Sequence, residues 1–553
     1  MTARIDRMLD KILIKVGKSL SSERPPVFTE AEMKLLEDAQ HIVMPLISKL
    51  AVAPNQSLDL TACHGVLAQA LTQLRYHYER DDVWAKRLHH QAGEALCKHM
   101  PDFSRDCVIG IIGAFYEARL EIPVTFNELC LDMLAGEEET MLSPDELDAY
   151  GLSMIDVFFK DKPDLTAFEL SNILFSSMHA MPPGIVESII DCLISHPRVI
   201  AQDAAILFLL HPDTETRVRA IKKICELLEN RSVTPASLRR LVAIRQWWPT
   251  SERQMLDQLI GAQRKRGIQF ADVTPPPGVI RYHASIFDGT GVQLILIEIQ
   301  EGKGSRFAGL LVKHEIGIRD AWITPKNLTD KELYRIKKQI QTDQRLPMFT
   351  VNEEYVARIV SHYIAMNNSN DETPEPNLLE IDELLGSRAW RAEFTNIDTA
   401  LTALVQDCFP DGVSPAWIKQ SLERSGDLMN NESISQSWFE VHPGIDALIS
   451  RHTSIEKDKH KVNAVEALSE LNTTGFEFAR KKWMGQFFWM ALMARSQPTR
   501  DNPELWKDFA TLAYVLQQNW PMRKVPLMHS MMHDSLYISI ESMVERSMHL
   551  RGV

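Results

Sequence analysis

The run "VTPPPGV" at residues 273–279 constrains the fold more than any other feature of the chain. Consecutive prolines lack backbone donors and hold φ near one value, so neither a helix nor a central strand crosses them. The apolar spacing before the run is that of helices. Directly after it, β-branched and aromatic segments begin. The run therefore predicts a proline hinge between a helical region, 1–272, and a different kind of structure. From 280 to about 325, "RYHASIFD", "VQLILIEIQ" and "FAGLLVKHEIGI" are separated by glycine-bearing breaks. They predict a three-stranded antiparallel meander within a small α/β module, 280–366. A sheet this small needs helices over a face, and the segments after Thr329 and after Val351 supply them. A polar linker, "NNSNDETPEPN" at 367–377, precedes a C-terminal helical domain, 378–553. The expected class is mainly α.

Helix starts are marked locally. Thr29 with Glu32 fits a capping box. Ser143, Pro144 and Glu146 place a cap, a first-turn proline and an acid in order. Thr234 and Pro235 repeat the device. The first segment, "MTARIDRMLDKILIKVGKSL", has apolar residues at helical spacing broken by charges, so it predicts an amphipathic helix packed on the body and not a signal peptide. The longest apolar run, "WMGQFFWMALMA" from Trp483, is too short for a bilayer and predicts a buried helix. A net charge of −14 argues against a chain that coats nucleic acid as a whole. Seven cysteines, with no CxxC pair, read as reduced buried thiols. Cys63-His64 with Cys97 and His99 lack the spacing of a compact zinc module. These features lead to the expectation of a cytoplasmic protein with no membrane span.

Between Arg217 and Arg266 the chain is rich in cations, including Arg239, Arg240, Arg245 and Arg264, with Trp247 and Trp248 in the middle. On one helical face such residues suit a phosphate backbone or an acidic protein, with aromatics able to stack on bases. The plainer reading is a solvated surface over two core tryptophans. Asp288 precedes Gly289, Thr290 and Gly291. As a strand-end carboxylate it would be catalytic, but Asp-Gly followed by Gly is also what a hairpin turn requires, and the turn is the favoured reading. Asp320, with Asp288 or Glu298, would complete a divalent-metal site. Its alternative is a strand-end residue paired locally. His529 and His533 share one helical face, as metal ligands would. The neighbouring Met528, Met531 and Met532 favour a Met-rich core. Neither a nucleophile motif nor a dinucleotide fingerprint is present, and no cofactor is expected.

"HPDTETRVRAIKKICEL", 211–227, resembles the second half of a HEAT-like repeat. Pro212 and Asp213 occupy the turn, Arg217 is the matching arginine, and Ala220, Ile224 and Leu227 form the apolar line. Asp213 also stands where it can cap the helix. The resemblance spans about 160–265 and implies an irregular α-solenoid with scaffold and binding roles. The arrangement as a whole is similar to uncharacterised bacterial proteins, a resemblance that implies no activity. The sequence thus predicts a non-catalytic interaction scaffold with a protein partner. Two other readings stay open: nucleic-acid binding through 217–266, and a metal-dependent hydrolase or nuclease centred on Asp288 and Asp320.

Overall fold

The computed structural model of the protein describes all residues except 1, 23–25, 37, 53–58, 79–82, 119, 136–143, 179–184, 212, 251, 272, 274–277, 279, 302–303, 325–328, 330, 333, 337, 339–346, 389, 436, 441, 457–458, 475–476, 499–502 and 550–553. The proline hinge and the expected cap at Ser143 therefore lie largely outside the described residues. The chain divides into two compact units, 1–208 and 209–553.

The first unit is helical as far as it is described. Its opening helix, Thr2–Ser22, buries Leu9, Ile12 and Leu13 in the core, as an amphipathic helix docked on the body should. The Thr29–Glu32 capping box forms in both directions, at 2.6 and 3.3 Å. Helices Leu60–Tyr78 and Arg105–Ala118 approach closely at Gly110, where a Cβ would meet the His64 ring at 2.1 Å.

The second unit joins helices to a five-stranded antiparallel sheet. Helices Thr214–Leu227, Pro235–Trp247 and Arg253–Lys265 come first. Asp213 and Thr234 cap the first two, accepting from Thr216 and Ser237 N–H. The sheet has five strands where the sequence predicts three: β1 Ile280–Ser285, β2 Val292–Glu301, β3 Gly304–Lys313, β4 Gly317–Ile323 and β5 Met348–Val351. Their order is β4-β3-β2-β1-β5. The third expected strand is in fact a hairpin. It reverses at His314–Ile316, with Glu315 and Gly317 at positive φ. The four-residue edge strand β5 is too short to stand out as a periodic pattern.

Residues directly opposite one another share a face, so the register sorts the side chains. One face carries Tyr282, Ala284, Ile295, Ile297, Ala308, Leu310 and Ala321, all buried. Gln293 lies on it too. Its amide donates to Ser285 O and accepts from the Tyr355 hydroxyl of helix Glu353–Ser369, so a buried polar group is satisfied on both sides. The opposite face gathers Leu296, Phe307, Trp322 and Met348 around Ile336.

The polar segment 367–377 is built into the fold, contrary to its reading as a linker. Asn367 is buried at the end of the Glu353 helix and accepts from Ile318 N–H. Asn370 donates to Glu315 O and Ile316 O, and Asn377 to Ala321 O. Its polar side chains satisfy the backbone of β4 and its turn. Pro376 opens the next helix, Pro376–Leu384. The C-terminal helices surround Arg480–Arg495, whose Trp483, Phe487, Phe488 and Trp489 are buried. A small hairpin, Thr453–Glu456 with Lys459–Val462, interrupts them. No helix among the described residues is long and apolar enough to cross a membrane.

His362 sits where the Glu353 helix meets this C-terminal bundle. Thr395 N–H donates to its Nδ1, and its ring packs on Trp489. Burial, with His314 and Arg358 nearby, pushes its pKa down to about 4. The unfolded chain titrates this group near 6.5. The stability it supports is therefore complete above about pH 6.5 and is lost as pH falls toward 4, by about 3 kcal/mol in all. Urea unfolding between these pH values should show a shallower acid loss in His362→Gln than in the parent. Parallel loss in both proteins would remove His362 as the cause.

Candidate functional site

The basic stretch does not form a free cationic face. Arg217 is wholly buried and donates to His211 O, Thr214 Oγ1 and Asp371 O. Arg240 makes a two-pronged bond to Glu383, at 2.8 and 3.0 Å, and Arg239 reaches the same carboxylate at 3.0 Å. Burial pushes the Glu383 carboxyl up, but the hydrogen bonds and charges of Arg240 and Arg239 outweigh it and hold it below its ordinary value. Arg245 pairs with Asp257. Arg266 donates to Leu228 O and Arg231 O, closing the loop between two helices. Trp247 and Trp248 are core residues with no exposed ring, and their indoles donate to Trp390 O and Leu209 O. The expected pairing of Arg217, Arg239, Arg240, Trp247 and Trp248 with phosphates and bases is therefore corrected. Lys222, Arg231, Arg264, Lys265 and Arg266 are exposed.

Asp288 is a turn residue. Its carboxylate accepts from Val292 N–H and the Thr290 hydroxyl, both at 2.8 Å, and its carbonyl accepts from Gly291 N–H. Gly291, at φ +84°, supplies the left-handed position that such a hairpin needs. Gly289 serves another purpose. Its N–H donates to Ser437 O, and a Cβ there would lie 2.2 Å from Phe439 O. The turn is thus pressed against the backbone of the C-terminal region.

Asp320 does not join it. Asp320 lies opposite Leu311, which lies opposite Leu294. Two strand spacings, about 10 Å, therefore part it from β2, and its side chain projects from the sheet face. The Asp288 carboxylate instead folds back on its own turn. Glu298 is further still, about 16 Å from Asp320 by strand geometry, and it faces Arg281 and His283. The shared metal site predicted from these carboxylates is not assembled. His529 and His533 do meet, with rings 4.8 Å apart, over the buried Met528, Met531 and Met532. Burial and the neighbouring His529 push the His533 pKa down. Among the described residues no group of three or more His, Cys, Asp or Glu side chains is arranged to hold a metal. All seven cysteines are free thiols.

Two nodes escaped the sequence. Glu383, 143 residues from Arg240, gives no local sign of its partners. Glu440 is buried and accepts from Lys482 at 2.6 Å and from the Trp483 indole at 2.5 Å, and its N–H donates to Ser535. Lys482 also donates to Gly289 O. Burial pushes the Glu440 carboxyl up, with Lys482 and Trp483 opposing. Arg480, Lys481 and Lys482, directly before Trp483, are the one local signal in the sequence.

The Glu383 node is testable by stability. Glu383→Ala leaves two part-buried guanidinium groups uncompensated and should cost about 3 kcal/mol by urea unfolding. The double variant Glu383→Leu/Arg240→Met should recover part of that loss. A single variant as stable as the parent would show that the triad contributes nothing.

Residues 182–267 match the family model of the Y4lR second domain, and residues 398–540 that of the Y4lR C-terminal helical domain. No curated protein and no solved structure matches the chain. The chain is thus similar to Y4lR over the helices that hold most of the basic stretch and over the helices that surround Arg480–Arg495.

Proposed function

We propose that the protein is a non-catalytic interaction scaffold of the cytoplasm, its first half an irregular HEAT-like helical array that binds a protein partner. The observation that carries this reading is the use of the Asp288 carboxylate. It is engaged by Thr290 and Val292 of its own turn, and Asp320 stands two strands away. The strongest catalytic candidate in the sequence thus has a structural role. Asp213 and Arg217, which carry the HEAT-like resemblance, also act in the fold. The first caps its helix, and the second bonds the preceding turn.

The experiment is affinity capture of the intact tagged protein, with and without nuclease. Any recovered protein is then purified and mixed with the pure chain in a sedimentation assay. A nuclease-resistant partner that binds directly supports the scaffold. Asp288→Asn is the control for catalysis, because the amide oxygen can still accept from Val292 N–H. The variant should bind the partner as the parent does. Hydrolysis of phosphoesters by the parent that is lost in Asp288→Asn would overturn the reading.

A further inference from the structure

Helix Pro526–His549 carries two histidines that the fold does not use. Its inner face is set by Leu527, Met528, Met531, Met532, Ser535 and Leu536, all buried. His529, Ser530, His533 and Asp534 lie at the margin of that face, half-buried, and Tyr537 is exposed one turn beyond His533. Residues four apart on a helix stand one above the other, with Cβ atoms about 5–6 Å apart. His529 and His533 are placed in this way, with ring centroids 4.8 Å apart and ring planes inclined by 50°.

Other histidines of this unit are engaged by the fold. His442 accepts from Gly444 N–H, His362 accepts from Thr395 N–H, and His452 bonds Glu470 at 2.6 Å. Among the described residues neither ring of the pair has a hydrogen bond or an ion pair. The hydroxyls beside them are turned to the helix backbone, Ser530 to Pro526 O and Ser535 to Met531 O. With its pKa pushed down by burial and by His529, the His533 ring is neutral near pH 7, the state in which imidazole binds a metal. The acid beside it is Asp534, whose charge favours a cation. The cations nearest in the sequence, Arg523 and Lys524, lie in the turn ahead of the helix. The positive end of the helix dipole acts within the first turn, and His533 lies beyond it.

We propose that His529 and His533 chelate a divalent transition-metal ion, Cu²⁺ more tightly than Zn²⁺. Two imidazole nitrogens on one tetrahedral ion lie about 3.3 Å apart, given metal–nitrogen bonds of about 2.0 Å. Rings 4.8 Å apart between centroids reach that spacing by side-chain torsion, with the helix unchanged. Nitrogen donors select against Ca²⁺ and Mg²⁺, which take oxygen ligands. No third protein ligand converges among the described residues, so the ion keeps water at its other positions. A structural zinc site would need four protein ligands. This one is open, and a further ligand from outside can complete it. The proposal stands on the geometry of the pair and is independent of the scaffold reading.

The test is titration of the untagged full chain with Cu²⁺ alone and with Zn²⁺ alone, in buffer free of chelators. Calorimetry reads the affinity, and electron paramagnetic resonance reads the copper ligands. The chain has 18 histidines, so weak scattered binding forms a background and the variants carry the assignment. The first equivalent of Cu²⁺ should show nitrogen couplings from two imidazoles. His529→Gln and His533→Gln should each weaken this first step at least about tenfold. The double variant should fall little further, because either loss already breaks the chelate. Thermal melts without metal establish that the variants are folded; where one is not, the copper spectrum of the parent decides. A parent spectrum without two imidazoles overturns the proposal. So does the lack of a first step tighter than the background, or a first step that either variant leaves intact.

Discussion

The second unit is organised by one helix whose sides are nearly all occupied. Arg480–Arg495 buries Trp483, Phe487, Phe488, Trp489, Met490 and Met493, each worth about 1.5–3 kcal/mol relative to exposure. From Trp483 to Ala491 every residue is buried, so other elements must supply its partners. Lys482 meets Gly289 O at the hairpin turn, Met493 meets the Gln293 amide on β2, and Trp489 meets His362. Trp483 and Phe487 lie against Trp438, whose indole donates to Phe287 O. The sheet, the Glu353 helix and the C-terminal bundle are therefore held to the same surface. This also explains why the turn at Asp288 is glycine-rich. A side chain on Gly289 would collide with the 437–439 backbone that completes the contact.

The arginines show how far composition misleads about surface. A guanidinium has five donors in a rigid fork and suits places where several carbonyls or one carboxylate are left without partners. Arg217 fills such a place at the turn before its helix, Arg266 at the end of that helix, and Arg239 with Arg240 at Glu383. A run rich in cations therefore marks a junction of helices as readily as a binding face. Charge reversal at Arg239 or Arg240 would test folding before it tested binding, since each is bonded to a part-buried carboxylate.

What the sequence shows clearly is local. The caps at Thr29, Asp213 and Thr234 involve atoms three residues apart, and each forms as the spacing predicts. The hairpin turn at Asp288 is legible for the same reason. Its acceptors, donors and glycine lie within four residues. Legibility fails where partners are distant. The indole partners of Trp247 and Trp248 are the distant carbonyls of Trp390 and Leu209, and the order in 367–377 depends on the edge of β4. Polar residues without apolar neighbours look like a linker when their hydrogen-bond partners lie elsewhere in the chain. The metal pairing of Asp288 with Asp320 failed on register. Two strand-end carboxylates converge only on suitably placed strands, and the position of β4 depends on a hairpin hidden inside one apolar run.

The same reasoning narrows where function is to be sought. A polar side chain that closes a turn or caps a helix is accounted for by the fold, whatever its chemistry would allow alone. Asp288, Arg217 and Glu440 belong to that group. Phe270 differs. Its neighbours are anchored and its ring is exposed, as are other single apolar side chains of the surface, among them Phe394 and Tyr537. Residues that the core and the backbone do not use are those through which this largely helical molecule meets anything else. On that criterion the sheet, buried on one face and covered on the other at Leu296 and Phe307, is the frame, and the helix ends and connecting loops are the surface on which recognition is built.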